Sequence, residues 1–303
     1  MLTAIVPATN RPATLARCLA AIEHADAAPE QVIVVEDPSL RHPALARNVG
    51  AREAKGDILV FIDADVTVHA DAFTRMRQAF DETPQLVALF GSYDDEPESP
   101  GLVSVFRNLL HHHVHQHEAG PASTFWAGLG AMRRDTFEAA GGFVVHPIED
   151  IELGMRLAAT GAAIRLDPLI QGTHLKHWSL WSMLRTDLLV RGIPWVGLLI
   201  EHRNHKQAQV LNLGWRARLT ALTCLAILAA AALRSIRLVV AAIILLVALN
   251  RSFYHLLVRK EGVLRAAGGV VLHFLHNLVA IASVPLGILT YHVRQRRAPA
   301  RMG

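Results

Sequence analysis

The sequence predicts an α/β domain with a doubly wound, mostly parallel sheet, followed by apolar helices that hold it on a bilayer. Three observations predict this. Short apolar runs at Leu2 to Val6, Val32 to Val35 and Ile58 to Ile62 alternate with helix-like stretches at Ala13 to Ile22 and Ala44 to Ala54. Such alternation marks βαβ units whose strands are buried on both faces. The 303 residues are 52% hydrophobic with a mean hydropathy of +0.29, above the ordinary soluble range. Acidic residues are dense up to Glu201, after which the only one is Glu261, so the two parts of the chain suit different solvents.

The N-terminus, Met1 to Asn10, lacks a basic region and a long apolar core, so it reads as a first strand rather than a signal peptide. The strands end on polar residues: Thr9-Asn10-Arg11 after the first, Glu36-Asp37 after the second, Asp63-Ala-Asp65 after the third. In open α/β sheets these carboxyl ends are where ligands bind. Residues 94 to 101 form an acidic, turn-rich loop and a lobe boundary. From Trp178 to His202 aromatic residues and arginines flank apolar positions, and Pro194 predicts a kink, the pattern of a helix lying in a membrane interface. Leu219 to Leu233 and Leu238 to Leu249 are strongly apolar but span only about 18 to 22 Å at 1.5 Å per residue. Val270 to Tyr291 spans about 33 Å, enough for a hydrocarbon core of ~30 Å. Its His273, His276 and Asn277 are expected to face another helix rather than lipid. Between two and four crossings remain open, because three would leave Arg294, Arg296, Arg297 and Arg301 outside, against the positive-inside tendency. The expected organisation is a catalytic domain over 1–177, an interfacial helix and linker over 178–214, and a transmembrane region over 215–303, in a multi-pass membrane protein whose catalytic domain faces the cytoplasm.

Charge and cysteine content exclude other classes. The formal charge of +4 comes from arginines at the edges of apolar runs, without the aromatic interleaving of a nucleic-acid surface. Cys18 and Cys224 lie far apart, with no metal or redox spacing, which fits a reducing compartment. The seven residues His111 to His117 hold five histidines, but on a helix the pairs His111/His115 and His113/His117 point in different directions. Asp63 and Asp65, with a period of two, fall on one side of the chain, and two carboxylates so close call for a cation or for hydrogen-bond donors. A Mg²⁺ or Mn²⁺ ion there would leave positions for a diphosphate; a solvated turn is the plainer alternative.

The segments Ile5-Val-Pro-Ala-Thr-Asn-Arg-Pro12, Val34-Val-Glu-Asp37, Ala46-Arg-Asn-Val-Gly-Ala51, Phe61-Ile-Asp-Ala-Asp65, Phe125 to Arg134, Gly141-Gly-Phe143 and Glu149-Asp150 occur in the order of family 2 glycosyltransferases. Residues 1 to about 195 resemble that family. The resemblance implies a GT-A fold, a UDP- or GDP-sugar donor, a divalent cation and an inverting transfer. It makes Asp150 the general base and Asp37 the nucleobase-binding acid. It places Thr9, Arg11, Arg47, Asn48, Asp63 and Asp65 on the donor, and Trp126, Gly128, Gly130 and Glu149 around the sugar and acceptor. The metal would take Asp65, and His174, in Thr173-His-Leu-Lys-His-Trp178, is placed to return to the diphosphate. Arg191 and Trp195, in Leu189-Val-Arg-Gly-Ile-Pro-Trp195, stand where processive members carry Gln-x-x-Arg-Trp. The glutamine is missing, which favours single transfer over a processive polysaccharide synthase. An acid pair at a helix start also serves as a cap, so Glu149-Asp150 has a structural reading too. A catalytically inactive sugar-nucleotide-binding membrane scaffold would have no reason to keep Asp63, Asp65 and Asp150. A nucleotidyltransferase would show a glycine-rich basic loop where Ala8 to Pro12 stands. The acceptor implied by the apolar helices is a lipid or lipid-linked molecule.

Overall fold

A computed structural model describes residues 1–202 and 214–297; part of the expected linker, residues 203–213, and Arg301 fall outside the described residues. The chain divides into two units. Among the described residues the first takes 1–100 and 108–177, and the second takes 101–107, 178–202 and 214–297.

In the first unit, β1 (Leu2–Pro7) pairs in parallel with β2 (Gln31–Val35) and β3 (Ile58–Ile62). These three are the strands that the apolar runs predict, and β1 is buried over Leu2 to Val6. The rest of the sheet is not parallel throughout. β7 (Leu129–Arg133) runs antiparallel to both β3 and β5 (Leu86–Tyr93), β5 runs parallel to β8 (Ala163–His174), and the short β4 (Val66–Val68) and β6 (Gly120–Ala122) pair antiparallel with β8. The order is β2-β1-β3-β7-β5-β8-β4. The sheet is therefore mixed rather than mostly parallel. The apolar stretch 129–133 looks the same in either direction, and only its partners decide.

Alternation along each strand divides the core in two. Ala4, Val6, Val60 and Ile62 join Cys18 and Ile22 of α1 (Leu15–Glu23) and Phe73, Met76 and Phe80 of α3 (Ala72–Glu82) on one face. Ile5, Leu59 and Phe61 join Ala44 and Ala51 of α2 (Pro43–Glu53), Phe137 of α5 (Arg134–Ala139), and Leu153 and Leu157 of α6 (Glu149–Ala159) on the other. A period of two sends neighbouring residues to opposite faces, so one strand supplies both layers. Gly154 lets α6 press against the chain at Thr124 and Phe125, because a Cβ there would strike the Phe125 nitrogen. That approach fixes the height at which the N-terminus of α6 meets the sheet.

The helix α4 (Leu102–His117) starts with residues of the second unit, Gly101–Arg107, and continues with residues of the first. Within the second unit, α7 (Leu180–Arg185) leads into a π-helical stretch, Thr186–Gly192, and then α8 (Ile193–Glu201). The disturbance expected at Pro194 lies ahead of it. Proline sits in the first turn of α8, where no N–H is needed, and Gly192 allows Ser283 and the Asp187 carbonyl to approach. Trp215–Ala232 (α9) and Ile236–Leu249 (α10) form a helical hairpin, closed at Arg234 in the left-handed region (φ 54°) and tied at its open end by the Asn250 amide donating to Thr220 Oγ1 at 3.1 Å. The last helix, α11 (Arg251–Arg297), is broken at Gly262 (φ 75°, ψ 168°). The helices α9 and α11 are long and apolar enough to cross a bilayer, and most of their surface is not buried in protein. His273 meets Tyr254 Oη at 2.9 Å and His276 meets Asp187 at 2.8 Å, so the polar residues of α11 have protein partners, as expected of them.

Candidate active site

The carboxyl ends of β2, β1 and β3 lie side by side, and they bring Asp37, Thr9 to Arg11 and Asp63 to Asp65 to one edge of the sheet. Asp37 is exposed; the Ser39 N–H donates to its Oδ1 at 2.8 Å, and the Ser39 side chain together with this N–H holds its carboxyl below the ordinary value. Arg11 is exposed, has a left-handed φ of 44° and stands 3.5 Å from Glu36. Thr9 is half-buried in the turn before it.

Asp63 is seated by its own N–H, which donates to the Gly128 carbonyl at 3.0 Å. Its Oδ1 accepts from Arg47 Nη2 at 2.6 Å. Arg47 comes from α2, its side chain is 5% exposed, and its other arm, Nη1, pairs closely with Glu149. The need for a compensating charge, inferred from the spacing of Asp63 and Asp65, is thus met on the Asp63 side by an arginine of the protein. Crowding by burial still raises the Asp63 carboxyl, and Asp65 adds to that rise against the pull of Arg47. Glu149 is pushed up to about 7 by burial and by the adjacent Asp150, despite Arg47.

Asp65 faces His174 at the end of β8, with Oδ2 3.7 Å from Nε2. Burial alone would raise the Asp65 carboxyl, but His174 and Lys176 outweigh it and hold the group below its ordinary value. His174 is only 8% exposed and stacks on Tyr93 at 4.2 Å, which fixes its ring plane. Among the described residues no group of three or more His, Cys, Asp or Glu could hold a metal by itself. Asp65 and His174 nevertheless fit an ion that completes its shell with substrate oxygens, since Mg²⁺ and Mn²⁺ take few protein carboxylates beside a diphosphate.

Asp150 stands in the first turn of α6. Its Oδ2 accepts from the Ala127 N–H at 3.2 Å and its Oδ1 from Ile151 at 2.8 Å. Its charge is felt at both Arg47 and Asp63, so the three groups share one field. Trp126, one residue before Ala127, packs edge-on to Tyr93 at 4.8 Å and near His111 at 4.6 Å. Gly128 leaves room for the Trp126 ring, and Gly130 for the Phe125 ring.

Asn48 was expected to face the donor, but both ends of its amide are engaged by the Phe143 backbone, at 2.7 and 3.0 Å. Arg191, exposed on the π-helical stretch, and Trp195 of α8 belong to the second unit. In the His111 to His117 stretch the His111/His115 and His113/His117 rings lie tilted against each other at 3.9 and 4.0 Å, and burial pushes His113 and His115 down to about 4. Tyr93 escaped the sequence reading, although it ends a strand beside the acidic loop. The Arg47–Glu149 pair escaped it too, because 102 residues separate the partners.

Residues 40–141 match the family model of glycosyl transferase family 2. That stretch holds Arg47, Asp63, Asp65 and Trp126, while Asp150 and His174 lie beyond it. Among solved structures, the chain is similar to the mannosyltransferase PcManGT from Pyrobaculum calidifontis, in complex with GDP-Man and Mn²⁺, with a TM-score of 0.55 at 16% identity over 97% of this chain and 87% of that one. It is also similar to GalNAc-T7 with UDP, GalNAc and Mn²⁺, at a TM-score of 0.44 and 12% identity over 68% of this chain and 55% of that one. No curated protein sequence matches the chain. The family match and the mixed sheet with its strand-end carboxylates lead to one conclusion: residues 40–141 match glycosyl transferase family 2 within a sheet of GT-A fold, and the chain is a glycosyltransferase.

Proposed function

We propose that the chain moves a sugar, with inversion, from a UDP- or GDP-sugar to a lipid or lipid-linked acceptor at a membrane, one transfer at a time. The observation that carries this reading is the grouping of Asp63, Glu149 and Asp150 around Arg47, with Asp65 beside Asp63 and His174. Residues 1–177 would form the catalytic domain, 178–214 an interfacial segment and 215–303 the membrane region, with the catalytic domain on the cytoplasmic side. The exposed apolar surface of α9, α10 and α11 supports membrane attachment.

In this reading Asp37 and Thr9 to Arg11 receive the nucleoside at the sheet edge, and Asp65 with His174 would hold a divalent cation. That cation would neutralise the departing nucleoside diphosphate, as Mn²⁺ accompanies GDP-Man in PcManGT. Asp150, oriented by the Ala127 and Ile151 N–H groups, takes the proton from the acceptor hydroxyl. The acceptor oxygen forms its bond to the anomeric carbon as the bond from that carbon to the donor phosphate oxygen breaks, and the electron pair leaves with the nucleoside diphosphate. Trp126, next to the Ala127 that donates to Asp150, would wall the sugar.

The test is a screen of nucleotide sugars on membranes containing the full chain, with mass spectrometry of the lipid fraction. One donor should yield a lipid product heavier by one sugar, and a chelator should abolish it. Transfer to no lipid with any donor, in the presence of Mg²⁺ and Mn²⁺, would overturn the reading.

A further inference from the structure

Two consecutive residues of α2 hold both ends of the stretch that delivers Asp150. Asn48 exchanges hydrogen bonds with the Phe143 backbone at its start, and Arg47 pairs with Glu149 at its end. The guanidinium lies 5.6 Å from the centre of the Phe143 ring, and its second arm reaches Asp63 at 2.6 Å. Between these anchors Val144 and Val145 are exposed, so the stretch itself contributes little to holding its own shape.

We propose that Arg47 is a positioning residue rather than a donor ligand: its fork sets the separation between Asp63 on the donor side and the N-terminus of α6, which carries Asp150. This rests on the reading of Asp150 as the base. Arg47 is nine-tenths buried or more, and each Nη is directed at a carboxylate of the protein. It acts on the donor through Asp63 and on the acceptor side through Glu149. A planar fork can hold two carboxylates at a fixed distance, whereas an ammonium is a point charge that holds one. Loss of either arm lets α6 shift, and displacements of about 1 Å cost on the order of 10²-fold in rate.

The experiment measures donor dissociation constant and transfer turnover for the full chain in detergent, with Asp150→Asn alongside. Arg47→Lys and Glu149→Ala should each lower kcat by about 10- to 100-fold, with donor affinity changed by less than about threefold, and the double variant should be no worse than the poorer single, since both remove one bridge. Glu149→Gln, whose amide oxygen still accepts from Arg47, should recover most of the loss. Loss of donor binding in Arg47→Lys alone would make Arg47 a donor ligand and overturn the proposal. So would multiplying losses in the double variant, unchanged kcat in both singles, or a Glu149→Gln protein no better than Glu149→Ala. If Arg47→Lys fails to fold, as judged by its thermal unfolding, the two Glu149 variants decide: Gln rescue supports the brace and its absence overturns it. Full turnover in Asp150→Asn instead removes the base and the reading beneath the proposal.

Discussion

Asp150 and Glu149 are sequence neighbours with different surroundings. Two backbone N–H groups orient Asp150 toward the loop at Ala127, while Glu149 is buried against Arg47. Asp150→Asn keeps the size of the side chain but cannot take a proton, so turnover on a hydroxyl acceptor should fall ~10²-fold or more while donor affinity survives; steady-state turnover set beside donor titration checks it. Glu30 makes a separate prediction about acid stability. Its pairing with Arg77 at 3.0 Å and the Leu2 N–H at 2.7 Å hold it down at about 2. A lowered acid stabilises the fold above its ordinary value near 4.5, and that contribution is lost as pH falls from there through about 2. The group is 46% exposed, so solvent screening leaves about 1 kcal/mol or less. Glu30→Gln should flatten the thermal midpoint between pH 5 and 3 relative to the parent chain. The strand-end acids and the acid pair at the start of α6 were legible because both positions announce themselves locally. The partners of Arg47 and Asn48 were not, since nothing in the local pattern tells a helix-surface arginine from one that a fold buries.

At the scale of elements, β1, α1, β2, α2 and β3 could be read from apolar periodicity almost to the residue. The direction of β7 could not, nor could the π-helical stretch. Thr186–Gly192 brings Asp187 inward, where Arg107 meets it at 2.8 Å and His276 at 2.8 Å, and Arg107 also lies 5.1 Å from the Trp178 ring centre. A sequence shows these as an arginine on one helix, an aspartate on another and a histidine in an apolar run, with no spacing to join them. Burial opposes the Asp187 charge, but His276 and Arg107 outweigh it and keep the carboxyl below its ordinary value. Asp187→Ala leaves Arg107 buried without its carboxylate, which costs about 3 to 5 kcal/mol. The thermal midpoint of the detergent-solubilised chain should drop accordingly, whereas Arg185→Ala, on the preceding helix, should change it little.

For the whole molecule, a hairpin of apolar helices followed by a long broken helix predicts an integral attachment. The full chain should stay with membranes through a carbonate wash and leave them only in detergent; recovery in the soluble fraction would refute membrane insertion. Cutting the chain near residue 205 would not cleanly free the catalytic part, contrary to what a simple order of domains suggests. Phe106 packs on Phe253 and His273, so such a fragment, although it keeps Asp187 for Arg107, would expose that ring and should aggregate.

The same split segment has a consequence for biosynthesis. Residues 101–107 emerge from the ribosome long before Asp187 and His273, their partners in the second unit. At 5 to 20 residues per second, the 166 residues from Arg107 to His273 take on the order of ten to thirty seconds to make. Over that interval Phe106 lacks the Phe253 and His273 rings, and for about the first half of it Arg107 lacks Asp187. The remainder of α4, on the same continuous helix, already has its strand neighbours. A nascent chain arrested near residue 200 should therefore show a protease-resistant sheet with a cleavable site around Ser104 to Arg107, and release past residue 280 should close it.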